Sequence, residues 1–170
     1  MHEFRVHLKN SIGSNTNGEF SVFVNNKLID NYNLNLNLIE FTCDLVQGWN
    51  SFKIYLNKKY PDTSVSIEEL YIDKSVMRYL LHDFGKVIPD YQVDPGLEQW
   101  YIKNQGQAPD IFPKRKMLDM SGAYIFDFKM PLKEFLEDFY QLPAAYETHY
   151  NQSIQAWMQL EQKLNNIKNA

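Results

Sequence analysis

The strongest constraint on this chain is the frequency with which apolar residues recur at every second position, in runs too short for helices. Phe4, Val6 and Leu8 interleave with Arg5, His7 and Lys9, and Phe20, Val22 and Val24 repeat the spacing. Successive strand side chains point to opposite faces, so this period describes strands with one buried face. Asn25-Asn26 then offers a two-residue turn that tolerates positive φ, with Lys27 to Asp30 as the return strand. Leu34, Leu36 and Leu38 share one face, with Asn33, Asn35 and Asn37 on the other, before the apolar set shifts by one to Ile39, Phe41 and Cys43. A shift of one residue reverses the inward face, so a β-bulge or a crossing between sheets is expected near Leu38 and Ile39. Phe52, Ile54 and Leu56 alternate again, and Val65 and Ile67 open a strand ending near Ile72. This many short strands at close spacing predicts a mainly β chain folded as an antiparallel β-sandwich.

The middle of the chain breaks the pattern. Lys74 to Pro113 loses its periodicity and carries Pro89, Pro95, Pro109 and Pro113 with Tyr79, Phe84, Tyr91, Trp100, Tyr101 and Phe112. A segment of this length is expected to be a functional or ordered insertion held by its aromatics, with one or two helical turns over Gly96 to Lys103. Leu118 and Met120, a Ser121-Gly122 turn, and Tyr124, Phe126 and Phe128 then predict a second hairpin. Beyond Pro131, Leu132, Phe135, Leu136 and Phe139 recur at three- and four-residue intervals, as in a short amphipathic helix. After Pro143, the stripe Tyr150, Ile154, Trp157, Leu164 and Ile167 sketches a longer helix with an apolar face to cover. The expected organisation is a sandwich over residues 1–131, with an irregular insertion at about 74–115, followed by a C-terminal helical extension over 132–170.

Two passages carry a family resemblance. Leu45 to Lys58 (LVQGWNSFKIYLNK) with Asp62 to Asp73, and Ser121 to Leu132 (SGAYIFDFKMPL), resemble the Ca2+-dependent, xylan-binding type of carbohydrate-binding module. That family is a β-jelly-roll, and the likeness is to its divergent copies in structural proteins of tailed bacteriophages. The resemblance implies a jelly-roll-like sandwich and a virion component of the capsid, neck, tail or baseplate, assembled in the host cytoplasm and docked to other virion proteins or to itself. It also implies an alternative, a Ca2+-dependent module that recognises a cell-surface polysaccharide. The chain departs from the family pattern in offering only Asp62 where relatives carry more acidic residues, and in its long middle segment and C-terminal helices.

Composition narrows the functional classes. A formal charge of -4, with Lys114-Arg115-Lys116 as the one short basic cluster, gives no electrostatic footprint for nucleic acid. No apolar run reaches the roughly 20 residues of a membrane span, and no basic-then-apolar leader is present, so a mature cytosolic product without a membrane partner is expected. The single cysteine, Cys43, has no disulfide or metal partner in sequence and is read as a buried structural thiol. His2, His7, His82 and His149 are scattered, and no motif of metal, phosphate or nucleophile chemistry appears. Glu68 and Glu69 are expected on opposite faces of a strand, so no enzyme activity and no cofactor is expected beyond the implied Ca2+. Asp62, Glu69 and Asp73 are the best local carboxylate supply for that ion, which takes six to eight oxygens. Trp49 with Tyr60, or Trp100 with Tyr101, would supply the aromatic rings on which sugars stack. Tyr150, Ile154, Trp157, Leu164 and Ile167 are the candidate protein interface.

Overall fold

The computed structural model describes residues 1–11, 18–56, 63–78 and 80–139. The chain divides at Pro131 into two units, Met1–Pro131 and Leu132–Ala170. Strands β1 (His2–Ser11), β2 (Glu19–Val24), β3 (Lys27–Asn33), β4 (Leu38–Cys43), β5 (Gly48–Leu56), β6 (Ser64–Ile72) and β7 (Ser75–Val76) come first. They are followed by helix α1 (Leu80–Asp83), β8 (Lys86–Pro89), helix α2 (Pro95–Gln105), β9 (Phe112–Pro113), β10 (Met117–Leu118) and β11 (Gly122–Met130). The second unit contributes helix α3 (Leu132–Phe139).

The strands of the first unit form two antiparallel sheets, a β-sandwich. Among the described residues, one sheet has the order β10-β6-β1-β4 with β7 also paired to β6, and the other has the order β3-β2-β5-β11-β8-β9. The alternation read in the sequence is what closes them. Phe4, Val6 and Leu8 of β1 are buried, as are Phe52, Ile54 and Leu56 of β5 and Tyr124, Phe126 and Phe128 of β11 in the other sheet. Phe4 makes the inter-sheet contact directly, its ring centroid 6.4 Å from Phe52 and 6.3 Å from Phe128. Each fully buried ring of this kind contributes about 2–3 kcal/mol of transfer free energy, so this ladder of aromatics is the main adhesive between the sheets.

Turn chemistry sets the connections. Asn25 and Asn26 adopt φ of 52° and 62°, the pair of positive values that a type I′ hairpin between β2 and β3 requires. The one-residue shift near Leu38 is the crossing from one sheet to the other: β3 ends at Asn33, the chain turns through Leu34 to Asn37, and β4 starts in the opposite sheet. Leu34 is buried in that turn, while Leu36 and Leu38 are exposed, so the three leucines do not share one face of a strand.

Three other expectations need correction. Ser121-Gly122 does not close a hairpin, because β10 pairs with β6 while β11 pairs with β5 and β8 in the other sheet. The middle segment is less irregular than expected, since it supplies β7 to one sheet and β8 and β9 to the other. Glu68 and Glu69 do not face opposite sides. β1 pairs His7 with Glu69 and Leu8 with Ile67, so Glu68 is bulged out and both carboxylates stay outside the core. Cys43 is a free, half-buried thiol at the end of β4, and burial followed by the neighbouring Asp44 pushes its pKa up to about 11.

Candidate functional site

The inserted segment is fastened to the sandwich at a few defined points. Tyr124 donates its buried hydroxyl to the Leu81 carbonyl at 2.9 Å, tying α1 to the core. Gly85 passes so close to the core that a Cβ there would lie 2.0 Å from the Leu81 oxygen and 2.2 Å from the Arg115 oxygen. Beyond β8, Asp90 acts as the anchor. Its Oδ2 accepts from the Tyr55 hydroxyl of β5 at 2.6 Å, and its Oδ1 accepts from the backbone N–H groups of Gln92 and Val93. The Asp90 hydrogen bond, with burial second, raises the Tyr55 pKa to about 12.

From this anchor the chain enters α2, whose boundaries follow from capping. The Asp94 side chain accepts from the Leu97 N–H, Pro95 occupies the first turn, Glu98 complements the positive end of the helix, and Gly106, in the left-handed region at φ 85°, closes the C-terminus onto the Ile102 carbonyl. This adds several residues to the turns expected over Gly96 to Lys103. None of the eleven residues of α2 is buried. A helix this short is marginal by itself, so it depends on its aromatic attachments. Tyr101 packs on Phe112 of β9 at 5.5 Å, the Arg115 guanidinium covers the Phe112 ring at 5.4 Å, and Tyr91 donates its hydroxyl to the Pro109 carbonyl at 2.7 Å.

Trp100 and Tyr101 are thereby brought together on the surface. Their rings meet edge to face, 5.0 Å apart at 88°, and Trp100 stays 54% exposed. Val93, Ile102 and Ile111 are also exposed on the insertion. The Tyr91 hydroxyl is made harder to ionise by burial first, and then by the nearby Tyr101, Glu98 and Asp110. Glu98 and Asp110 thus lie near enough to Tyr91 to bear on its ionisation. The Asp94-Pro95 start and the Gly106 stop were the available signals for the full helix; nothing in the sequence signalled the approach of Asp110.

The other expected positions fall elsewhere. Trp49 opens β5, 63% exposed and opposite Lys129 on the outer face of its sheet. Asn50 beneath it is buried and holds the corner rigid: its amide donates to the Val46 and Gly48 carbonyls, and its oxygen accepts from the Val46 N–H and the Asn25 side chain. Tyr60 lies outside the described residues, in the segment that leaves the opposite end of β5 after Leu56. About 23 Å of strand separates Trp49 from that exit.

Of the carboxylates proposed for Ca2+, Glu69 and Asp73 are each held by partners of their own. Glu69 accepts from the Tyr71 hydroxyl and pairs with Arg78. Asp73 sits in the β6–β7 turn, accepting from His2 and the Glu3 N–H; burial works against its ionisation, but these bonds prevail and keep its carboxyl below the usual range. Asp62 lies outside the described residues. Among the described residues no group of three or more His, Cys, Asp or Glu side chains could hold a metal, and Glu69 and Asp73, each already partnered, do not fit a calcium site. Tyr150, Ile154, Trp157, Leu164 and Ile167 also lie outside the described residues.

No family model matches the sequence, and no curated protein matches it. Two solved structures are similar to this chain. The structure of vCBM60 in complex with galactobiose superposes with a TM-score of 0.50 at 9% identity, over 73% of this chain and 96% of that one. The selenomethionine form of vCBM60, described in connection with a circular permutation linking two families of calcium-dependent carbohydrate binding modules, gives a TM-score of 0.49 at 8% identity, over 74% of this chain and 90% of that one.

Proposed function

We propose that this protein is a non-catalytic carbohydrate-binding module whose contact surface is the Trp100–Tyr101 pair of the insertion. The carrying observation is that pair: two fixed rings, one more than half exposed, on a helix that buries none of its residues. A ring held in place loses little freedom when a sugar stacks on it, and aromatic surfaces with a polar handle suit ligands that are apolar on one face and hydroxylated on the rim. The shared fold supports the reading, because the neighbouring structure of this architecture holds galactobiose. Glu69 and Asp73, each held by partners of their own, supply no ligand to this contact, so binding at the pair is expected to survive chelation by EDTA. The reading as a virion component draws no support from the shared fold, and the stripe that would dock it lies outside the described residues.

Titration calorimetry with galactobiose and a panel of neutral oligosaccharides tests the proposal. Trp100→Ala should lower affinity at least tenfold with an unchanged melting temperature. Loss of binding on Trp49→Ala instead would move the site to the outer face of the β5 sheet, and binding abolished by EDTA would restore a metal to it.

A further inference from the structure

A second surface lies apart from the insertion, on the outer face of the β5 sheet. Trp49, Ser51, Lys53 and Tyr55 take that face from alternate positions of β5, since Asn50, Phe52, Ile54 and Leu56 between them are buried. Register sets their neighbours: β11 places Lys129 opposite Trp49, Asp127 opposite Ser51 and Ile125 opposite Lys53, and β2 places Phe23 on the other side of Lys53. Directly opposed side chains on one face stand about 5 Å apart at Cβ, so exposed Lys129 is the immediate neighbour of the Trp49 ring. The Lys53 ammonium is already placed, donating to Asn26 Oδ1 at 3.1 Å and lying 5.9 Å from the Phe23 ring centroid. Charge at this end of the face is one-sided. Asp127 is held by Lys86 at 2.8 Å, and Asp44, before β5, by the N-terminal amine at 3.4 Å. Asp30 sits on the edge strand opposite the inward-facing Val22, while Glu19 and Asp90 lie towards the far end, beside Asn33 and the Tyr55 hydroxyl. Lys53 and Lys129 pair with no carboxylate among the described residues.

We infer that this face is a second binding site, for an acidic polysaccharide, with a sugar ring stacked on Trp49 and carboxylates of the chain paired to Lys129 and Lys53. It goes beyond the Trp100–Tyr101 contact and does not depend on it. An exposed ring flanked by ammonium groups matches a polymer built of rings that carry negative charge at intervals. The corner beneath Trp49 is fixed by the hydrogen bonds of Asn50, and the Lys53 head group by Asn26, so little freedom is lost on binding. Lys129 and Lys53 are offset by four residues of β5, about 13 Å of strand, a separation bridged by an extended chain and not by a single sugar. A lipid surface fits less well, because pressing this face into it would strip water from Ser51 and both lysines. Nucleic acid binding draws on the release of many counterions, and two unpaired lysines supply little of that.

The test is titration calorimetry of the full chain with a galacturonic acid hexamer, cellohexaose, an oligothymidylate and vesicles of phosphatidylserine with phosphatidylcholine. The galacturonic acid hexamer should bind more tightly than the other three, and more weakly as salt is raised. Lys53→Met with Lys129→Met should lower that affinity about tenfold, the scale of two exposed charge pairs, with an unchanged melting temperature. Trp49→Ala should weaken it as well, whereas Trp100→Ala should leave it as it was. A galacturonic acid hexamer that fails to bind, binds no better than cellohexaose, or ignores either the lysine pair or Trp49 overturns the inference and leaves the Trp100–Tyr101 reading standing. Tighter binding of the oligothymidylate or the vesicles, lost on the same substitutions, overturns it by giving the face to that partner. Acidic binding that persists in Trp100→Ala, with no neutral sugar bound by the parent, upholds this site and sinks the one on the insertion.

Discussion

On the outer face of the β1 sheet, Glu40 meets Arg5, Glu68 meets Lys116 and Glu69 meets Arg78. On the insertion, Glu98 and Asp110 form no such pair among the described residues. The two surfaces belong to one unit and draw on the same residue types, yet one neutralises its charges in pairs and the other leaves them open next to exposed rings. A surface whose polar groups are already matched has little left to offer a ligand. A surface that leaves charge and aromatic area unmatched gives up nothing in stability, because its carboxylates remain in water, and it keeps both available for binding.

The comparison breaks most visibly where the insertion is joined to the core. Gly85→Ala would drive a methyl into the Leu81 and Arg115 carbonyls and the Tyr124 ring, which lies 2.7 Å from the added atom. Overpacking against backbone costs about 3 kcal/mol or more, so urea denaturation should show a loss of that order and sugar binding should fail with it. A variant as stable as the parent would mean that the insertion is not welded at Gly85. The next effect down is at the anchor. Asp90→Ala removes acceptors from the Tyr55 hydroxyl and from the Gln92 and Val93 N–H groups. About 2 kcal/mol should be lost, with weaker binding at Trp100 and Tyr101. If stability falls and affinity is untouched, the pair does not depend on Asp90 for its position.

Smaller differences separate the charges themselves. Lys116→Met keeps the aliphatic stem but strips Glu68 of its cation, and should cost about 0.5–1 kcal/mol, as for half-exposed pairs. Glu98→Gln removes a charge that nothing pairs with, and should leave stability within about 0.5 kcal/mol. Chemical denaturation of both variants sharpens the contrast, and equal losses would erase it.

The sandwich was legible because alternation records one-sided burial: Phe4, Val6 and Leu8, or Phe52, Ile54 and Leu56, can face inward only as strands. What alternation does not record is the partner strand. Leu118 and Tyr124 flank a good turn sequence and read as a hairpin, but their strands pair with β6 and β5 in different sheets, a choice made by tertiary packing. The bulge at Glu68 was hidden for the same reason, as it exists only in register with β1. At the site, Trp100 and Tyr101 could be picked out as adjacent aromatics, whereas Pro109 and its neighbour Asp110 are brought to Tyr91 only through the Tyr91–Pro109 bond, 18 residues apart along the chain. The short strands β8 and β9 are four and two residues long, and no periodicity can be read over so few positions.

Acid should expose the remaining difference between the two surfaces. Glu68 is held below its ordinary pKa of 4.5 by the hydrogen bonds from Lys116 and then Ser66. Asp73 is held below 3.8 by the bonds from His2 and the Glu3 N–H, against the opposing effect of burial. A depressed folded pKa means that the unfolded chain takes up the proton first. Stability from these groups is therefore fully present above the unfolded values and is lost as pH falls through about 4.5 and below. Both carboxylates are well exposed, so solvent screening keeps the combined loss to about 1 kcal/mol or less. Urea midpoints recorded from neutral pH to pH 3 should decline through that window, and Lys116→Met should flatten the part due to Glu68. A slope that ignores Lys116→Met would mean that Glu68 is not held by its bond to Lys116.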